Sequence, residues 1–255
     1  MMRNEQQICN IKSRIGDPYS ISDFLSNDDI EYLLKLYKSR DTKIYKNTGP
    51  VVLDLNYLLD DPIISKILHK IRNEIGPYKI TSAFFFETSY PHVIHNDDLI
   101  QLPDGIYKAI AIPLETIREY ESHDFPKLCF FDQFYFHGPS KFFKNSENDG
   151  IKVHYNKSVF DYSEIDGLLN FNTIDDDTYQ RLFTHMKPQW LEGLSLHSLL
   201  EWKPTTALIF DSTRLHAASD FRKLGIKSKI AISVFTAVSL DEKIEYINLK
   251  EAQDV

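Results

Sequence analysis

The sequence predicts a mainly β chain with flanking α-helices, closing as a jelly-roll or barrel behind a helical layer at the front. Three observations predict it: two amphipathic helical patterns fall before residue 78, β runs follow from residue 79 onward, and Gly, Pro and Asp turn chemistry separates those runs. With 255 residues, 42% of them hydrophobic and 13% aromatic, the chain can bury a large core, and β units of this size commonly form one domain. One domain over 1–255 is therefore expected, with 1–78 as an N-terminal layer of helices and short strands and 79–240 as the β core.

Residues 1–19 lack periodicity and read as a loosely docked arm. At Ser26 the pattern changes. Ser26 can cap a helix, Asp28 and Asp29 suit its positive end, and Ile30, Leu33, Leu34 and Tyr37 repeat at helical spacing. A short strand pair is expected around 43–55. A second helix opens with Asp61 as cap and Pro62 at its first position, carries Ile63, Ile64, Ile67, Leu68, Ile71 and Ile75, and stops at Gly76-Pro77.

The β reading begins at Lys79. Lys79–Tyr90 is rich in Phe, Thr and Ser, Tyr107–Leu114 alternates around Ile and Ala, and Leu128–His137 is strongly aromatic. Pro103-Asp104-Gly105 and Gly138-Pro139 supply turns. Residues 140–200 read as a long polar insertion, with weak helical signals at Thr178–Met186 and Leu194–Leu200; a segment of that length suits a lid or substrate-binding region. Strands resume at Thr206–Phe210, turn at Asp211-Ser212-Thr213 and continue through Arg214-Leu215-His216. In Lys229–Val238, Lys229, Ala231, Ser233 and Phe235 share one face, while Ile230, Ile232 and Val234 share the other. Both faces read as buried.

Composition narrows the function classes. No run approaches a membrane span, and the polar start Met1–Gln7 does not resemble a signal peptide, so a soluble, cytoplasmic protein is expected. Cys9 and Cys129 are too few and too far apart for a disulfide framework or a zinc-thiolate site. A net charge of −8 without a Lys/Arg block does not indicate a nucleic-acid partner. Asn27-Asp28-Asp29 and Asp175-Asp176-Asp177 read as helix entries or solvated loops, since neither has the spaced oxygen ligands of a calcium loop. Nothing in the sequence specifies an oligomeric state.

The chemistry centres on Pro91-His92-Val93-Ile94-His95-Asn96-Asp97-Asp98. In extended backbone, side chains at i and i+2 leave from one face, so His95 and Asp97 can converge. His92 is three residues from His95 and does not share that face with Asp97, and Asp98 points away as a surface or outer-shell group. His216, late in the chain, is the candidate third ligand. Two imidazoles and one carboxylate on one face of an octahedral metal leave three positions open, the arrangement of non-haem Fe(II) oxygen chemistry, whereas a closed zinc site leaves no such room. His137, His154, His185 and His197 have no partner at ligand spacing. In the aromatic run 130–136 the phenylalanines read as core, while Gln133 and Tyr135 share a face and become candidate substrate contacts if that face points inward.

The order His95-x-Asp97, a long interval, His216, and then Lys229 thirteen positions on resembles the Fe(II)- and 2-oxoglutarate-dependent oxygenases. The run Trp202–His216 is similar to that family's approach to its distal histidine, and Gly225–Phe235 to its cosubstrate strand; the resemblance covers roughly residues 80–238. It implies a double-stranded β-helix (jelly-roll, cupin-like), Fe(II) held by His95, Asp97 and His216, and 2-oxoglutarate and O2 as cosubstrates. It also implies Lys229 on the C5 carboxylate, hydroxylation of a C–H bond, and release of succinate and CO2. Retention of Asp97 argues against the halogenase variant. The prime substrate, a small molecule or protein side chain among the family's wider range, would be selected by loops such as 140–200.

This sequence departs from the family pattern where many members place Arg with Ser or Thr two positions on: Lys229 is followed there by Ala231, and Ser233 comes four on. An ammonium does not make the two-pronged contact of a guanidinium, so further donors are needed, and Tyr107, Lys108, Arg222 and Lys227 are the candidates. Two rival readings stand beside the oxygenase: a cupin-like metal- or ligand-binding protein without turnover, and a metal-dependent hydrolase or isomerase in which Lys229 binds an acidic substrate.

Overall fold

The computed structural model describes residues 3–39, 51–98, 106–121, 123–137, 165–169, 174–239 and 246. Two antiparallel sheets face each other in a jelly-roll arrangement. In chain order the strands are β1 (Tyr19–Ile21), β2 (Val51–Asp54), β3 (Tyr78–Thr88), β4 (Ile106–Arg118), β5 (Lys127–Tyr135), β6 (Ile165–Asp166), β7 (Leu196–Glu201), β8 (Ala207–Asp211), β9 (Arg214–Ala218) and β10 (Ile226–Val238). The helices are α1 (Glu5–Lys12), α2 (Asn27–Ser39), α3 (Pro62–Ile75) and α4 (Asp176–Leu182). The larger sheet runs β1-β8-β4-β10-β3-β2; in the smaller one, β5 pairs with β6, β7 and β9.

The two front helices form where their caps place them. In α2, Ser26 Oγ accepts from the Asp29 amide while the Asp29 carboxylate accepts from the Ser26 amide, so each satisfies an orphan donor of the other. In α3, Asp61 accepts from the Ile63 and Ile64 amides behind Pro62, and Gly76, at φ +82°, ends the helix in a conformation that L side chains rarely adopt. Leu33, Tyr37, Ile64, Ile67, Leu68 and Ile71 then bury their faces against Ile110, Ile112, Ile230, Ile232 and Val234 of the larger sheet. The other face of that sheet, with Ala231 and Phe235, meets Leu128 and Phe130 of the smaller one. The two faces of β10 thus separate by parity, as its sequence alternation predicts.

Three expectations differ. The 1–19 arm contains α1, closed by a reciprocal Asn4–Gln7 capping box, and is anchored by a buried Arg3. Leu194–Leu200 does not continue as a helix: β7 forms over Leu196–Glu201 because β5 offers it a free edge, and Leu196 and Leu200 pack inward while Leu199 is exposed. Within the polar insertion, residues 182–194 supply a hydrophobic cover for the smaller sheet, with Leu182, Phe183, Met186, Trp190, Leu191 and Leu194 against Cys129, Phe131 and Ala217. The remainder of the expected lid, 140–164 and 170–173, and the first part of the expected strand pair, 43–50, lie outside the described residues. Among the described residues no helix is long and apolar enough to cross a membrane.

Candidate metal centre

Residues 92–97 lie antiparallel beside β9 as an extended edge. His95 N–H donates to the His216 carbonyl and His216 N–H returns the bond to His95, both at 2.9 Å, and Asp97 N–H donates to Ser212 O at 2.7 Å. Two ladder bonds therefore fix the backbones of residues more than a hundred positions apart. Along this edge Ile94, Asn96 and Asp98 turn away from the site and are fully buried, Asn96 donating to the Tyr135 carbonyl. His95 and Asp97 take the opposite face, as the i, i+2 rule requires.

Among the described residues, His95, Asp97 and His216 form a group whose potential ligand atoms all lie within 4.8 Å of one another. Asp97 Oδ1 is 3.6 Å from His95 Nε2, and Asp97 Oδ2 is 3.3 Å from His216 Nε2. Atoms bound at about 2.0–2.2 Å to one ion stand roughly 3–4 Å apart, so the donor set fits a divalent metal. The tautomers fit as well. His95 Nδ1 faces the Val93 carbonyl at 2.7 Å and His216 Nδ1 faces the Arg214 carbonyl at 3.0 Å. A carbonyl only accepts, so each Nδ1 carries the proton and each Nε2 offers a lone pair to the shared space.

Burial and the neighbouring His216 push the His95 imidazole down to about 3, which keeps it neutral and ready to ligate. Phe130 and Phe210 pack on the His216 ring, at 5.8 and 4.8 Å between centroids, and form an apolar wall. His92 stacks between Phe86 and His95, outside the donor group.

Lys229 lies on the inner face of β10, only 3% exposed. Its ammonium sits 4.1 Å from the Trp202 ring centroid and 4.6 Å from that of Phe221. Burial pushes this amine down to about 7. The unfolded lysine holds its proton to about pH 10.5, so between pH 7 and 10.5 the unfolded state binds more protons and this group makes stability rise with pH. Below pH 7 both states are protonated and the cost of burial is constant. Urea denaturation from pH 6.5 to 9 is therefore expected to show a rising wild-type stability relative to Lys229→Met, in which the buried charge and its pH slope are absent.

The other candidates lie elsewhere. The Tyr107 hydroxyl donates to Ile75 O at the end of α3, a β-bulge between Phe235 and Ala237 having turned this part of β4. Lys108 is paired to Asp211 at 2.6 Å, and Arg222 is half exposed and held by Asp220 at 3.1 Å. Lys227 is the extra residue of a bulge between Ile226 and Ser228, so it points outward near Glu119 rather than sharing the face of Lys229. Gln133 is buried, but its amide is tied to Leu168 O and the Ser195 amide, and Tyr135 packs with Ile94 and Ile165 on the outer side of β5. The Asp98 side chain is buried and turned away from the metal ligands: Arg3 donates to both its carboxylate oxygens and, at 2.8 Å, to Phe136 O. Trp202 and Phe221 escaped the sequence reading as residues of the site, although Trp202 opens the run that leads to His216.

No family model and no curated protein matches the chain. Among solved structures it is similar to HygX from Streptomyces hygroscopicus with nickel and 2-oxoglutarate bound, at 11% identity over 96% of both chains and a TM-score of 0.46. The viral collagen prolyl hydroxylase of Paramecium bursaria Chlorella virus-1, as its 2-oxoglutarate complex, is 12% identical over 87% of this chain and 96% of its own, with a TM-score of 0.41. A Pseudomonas putida prolyl-4-hydroxylase is 11% identical over 91% and 99%, also at 0.41.

Proposed function

We propose that this protein is an Fe(II)- and 2-oxoglutarate-dependent oxygenase that hydroxylates a C–H bond of a small molecule or protein side chain. The observation that carries this reading is two kinds of buried group within one sandwich. Two Nε2 lone pairs and a carboxylate converge at one end, and an ammonium without a carboxylate partner among the described residues projects from β10 of the same sandwich. His95, Asp97 and His216 would hold the metal. When bound, Fe(II) supplies activation of O2 coupled to oxidative decarboxylation of 2-oxoglutarate to succinate and CO2. Lys229 neutralises the C5 carboxylate, and Phe130 and Phe210 keep water away from His216.

The test is succinate formation that requires Fe(II), 2-oxoglutarate and O2 together, measured with and without prime substrate. Lys229→Ala is expected to weaken 2-oxoglutarate binding at least tenfold with metal affinity retained, since the pair of charges is lost while the ligand set is untouched. A metal-loaded protein that neither forms succinate nor binds 2-oxoglutarate is not an oxygenase of this kind.

A further inference from the structure

Lys229 is a single point charge, a carboxylate has two oxygens, and the candidate helpers Tyr107, Lys108, Arg222 and Lys227 all face other partners. Trp202 does not. It follows β7 in the inward register of Leu200, is 4% exposed, and meets Phe86 edge to face at 6.0 Å. Its backbone amide is bonded to Pro126 O at 2.8 Å, yet its indole Nε1–H is buried without a hydrogen-bond partner among the described residues. A buried N–H of this kind costs stability unless something accepts from it. The Lys229 ammonium rests over the same ring, 4.1 Å from its centroid, so the cation and the orphan donor lie within one indole's width of each other.

Resting on the oxygenase reading, we propose that the Trp202 indole N–H is the second donor of the cosubstrate carboxylate site, binding one C5 oxygen while Lys229 binds the other. An indole donates and does not accept, and a buried ammonium also only donates, so the pair selects a carboxylate over an amide or alcohol terminus. The Trp202 and Phe221 rings hold the ammonium from its sides, which fixes the donor that the flexible lysine stem alone would leave mobile. The chain thus replaces the fork of a guanidinium by two separate side chains brought together from β10 and the end of β7.

The test uses the full chain loaded with Zn(II), which is diamagnetic and does not turn over. There are two tryptophans, Trp190 and Trp202, so the indole region of a 15N spectrum holds two signals, and Trp202→Phe identifies which is which. Adding 2-oxoglutarate is expected to move the Trp202 signal downfield, and adding 2-oxobutanoate, which lacks the distal carboxylate, is expected to leave it in place. By calorimetry, Trp202→Phe should bind 2-oxoglutarate about 10- to 100-fold more weakly, the loss of one hydrogen bond to a charged group, while Zn(II) and 2-oxobutanoate affinities stay at wild-type values. If the wild type binds 2-oxoglutarate but the indole signal stays still and Trp202→Phe binds as tightly, Trp202 is not the donor and the oxygenase reading survives. If the wild type binds no 2-oxoglutarate, both readings fall. Where Trp202→Phe folds poorly, Trp190→Phe supplies the same assignment and the wild-type spectrum decides the matter.

Discussion

Asp97→Asn is expected to lower affinity for a divalent metal by more than 100-fold, measured by anaerobic Fe(II) titration or by the visible bands of Co(II). The reasoning is electrostatic. His95 and His216 are neutral donors by tautomer, so Asp97 is the sole anionic ligand of the group. Loss of a merely outer hydrogen-bond partner typically costs 10–100-fold in metal affinity, and loss of the charge in direct contact exceeds it. The substituted side-chain amide keeps the shape of the carboxylate, and the backbone N–H bond from this position to Ser212 O is untouched, so the fold, followed by circular dichroism, should be unchanged. Wild-type metal affinity in this variant would remove Asp97 from the ligand set.

The second large effect lies at Arg3. Asp98 is fully buried, and both of its oxygens accept from the Arg3 guanidinium. Arg3→Ala leaves that carboxylate in a low-dielectric environment with no countercharge, at a cost of about 3–5 kcal/mol, a large fraction of the stability of a typical domain. Urea denaturation measures it. The double variant Arg3→Met/Asp98→Leu should recover most of the loss, because removing both charges also removes the desolvation cost. Since Asp98 adjoins Asp97, Arg3→Ala should also loosen metal binding. A single variant as stable as wild type would mean that the pair contributes nothing to holding the metal edge.

These two sites mark what the sequence could and could not disclose. The i, i+2 convergence of His95 and Asp97, the caps at Ser26 and Asp61, and the parity of β10 all depend on neighbours in the chain, and all were legible. The partner of Asp98 was not, because it lies 95 positions away at the front of the chain. A local signal for α1 did exist in the Asn4-x-x-Gln7 capping box, but its weak apolar periodicity hid it. The outward face of Lys227 was not legible, because a bulge adds one residue and inverts the alternation, and bulges leave no reliable mark in composition. The strand at Leu196–Glu201 was decided by the open edge of β5, a tertiary cause that outweighed local preference. Trp202 lies in the run toward His216, and only the packing of Lys229 on its ring sets it apart from that run.

The position of β10 also orders events in time. This strand comes late in the chain yet lies in the middle of the larger sheet, between β3 and β4. Until residues 226–238 leave the ribosome, β3 and β4 have no partner between them, and the hydrophobic faces on both sides are incomplete. Such non-local pairing is slow to form and vulnerable to aggregation while it waits. The histidine bridge at 95 and 216 is likewise closed late, so a nascent chain can assemble neither the metal ligands nor the lysine that faces them. Closing of the sandwich and pairing of the candidate ligands are therefore late events of the same folding process.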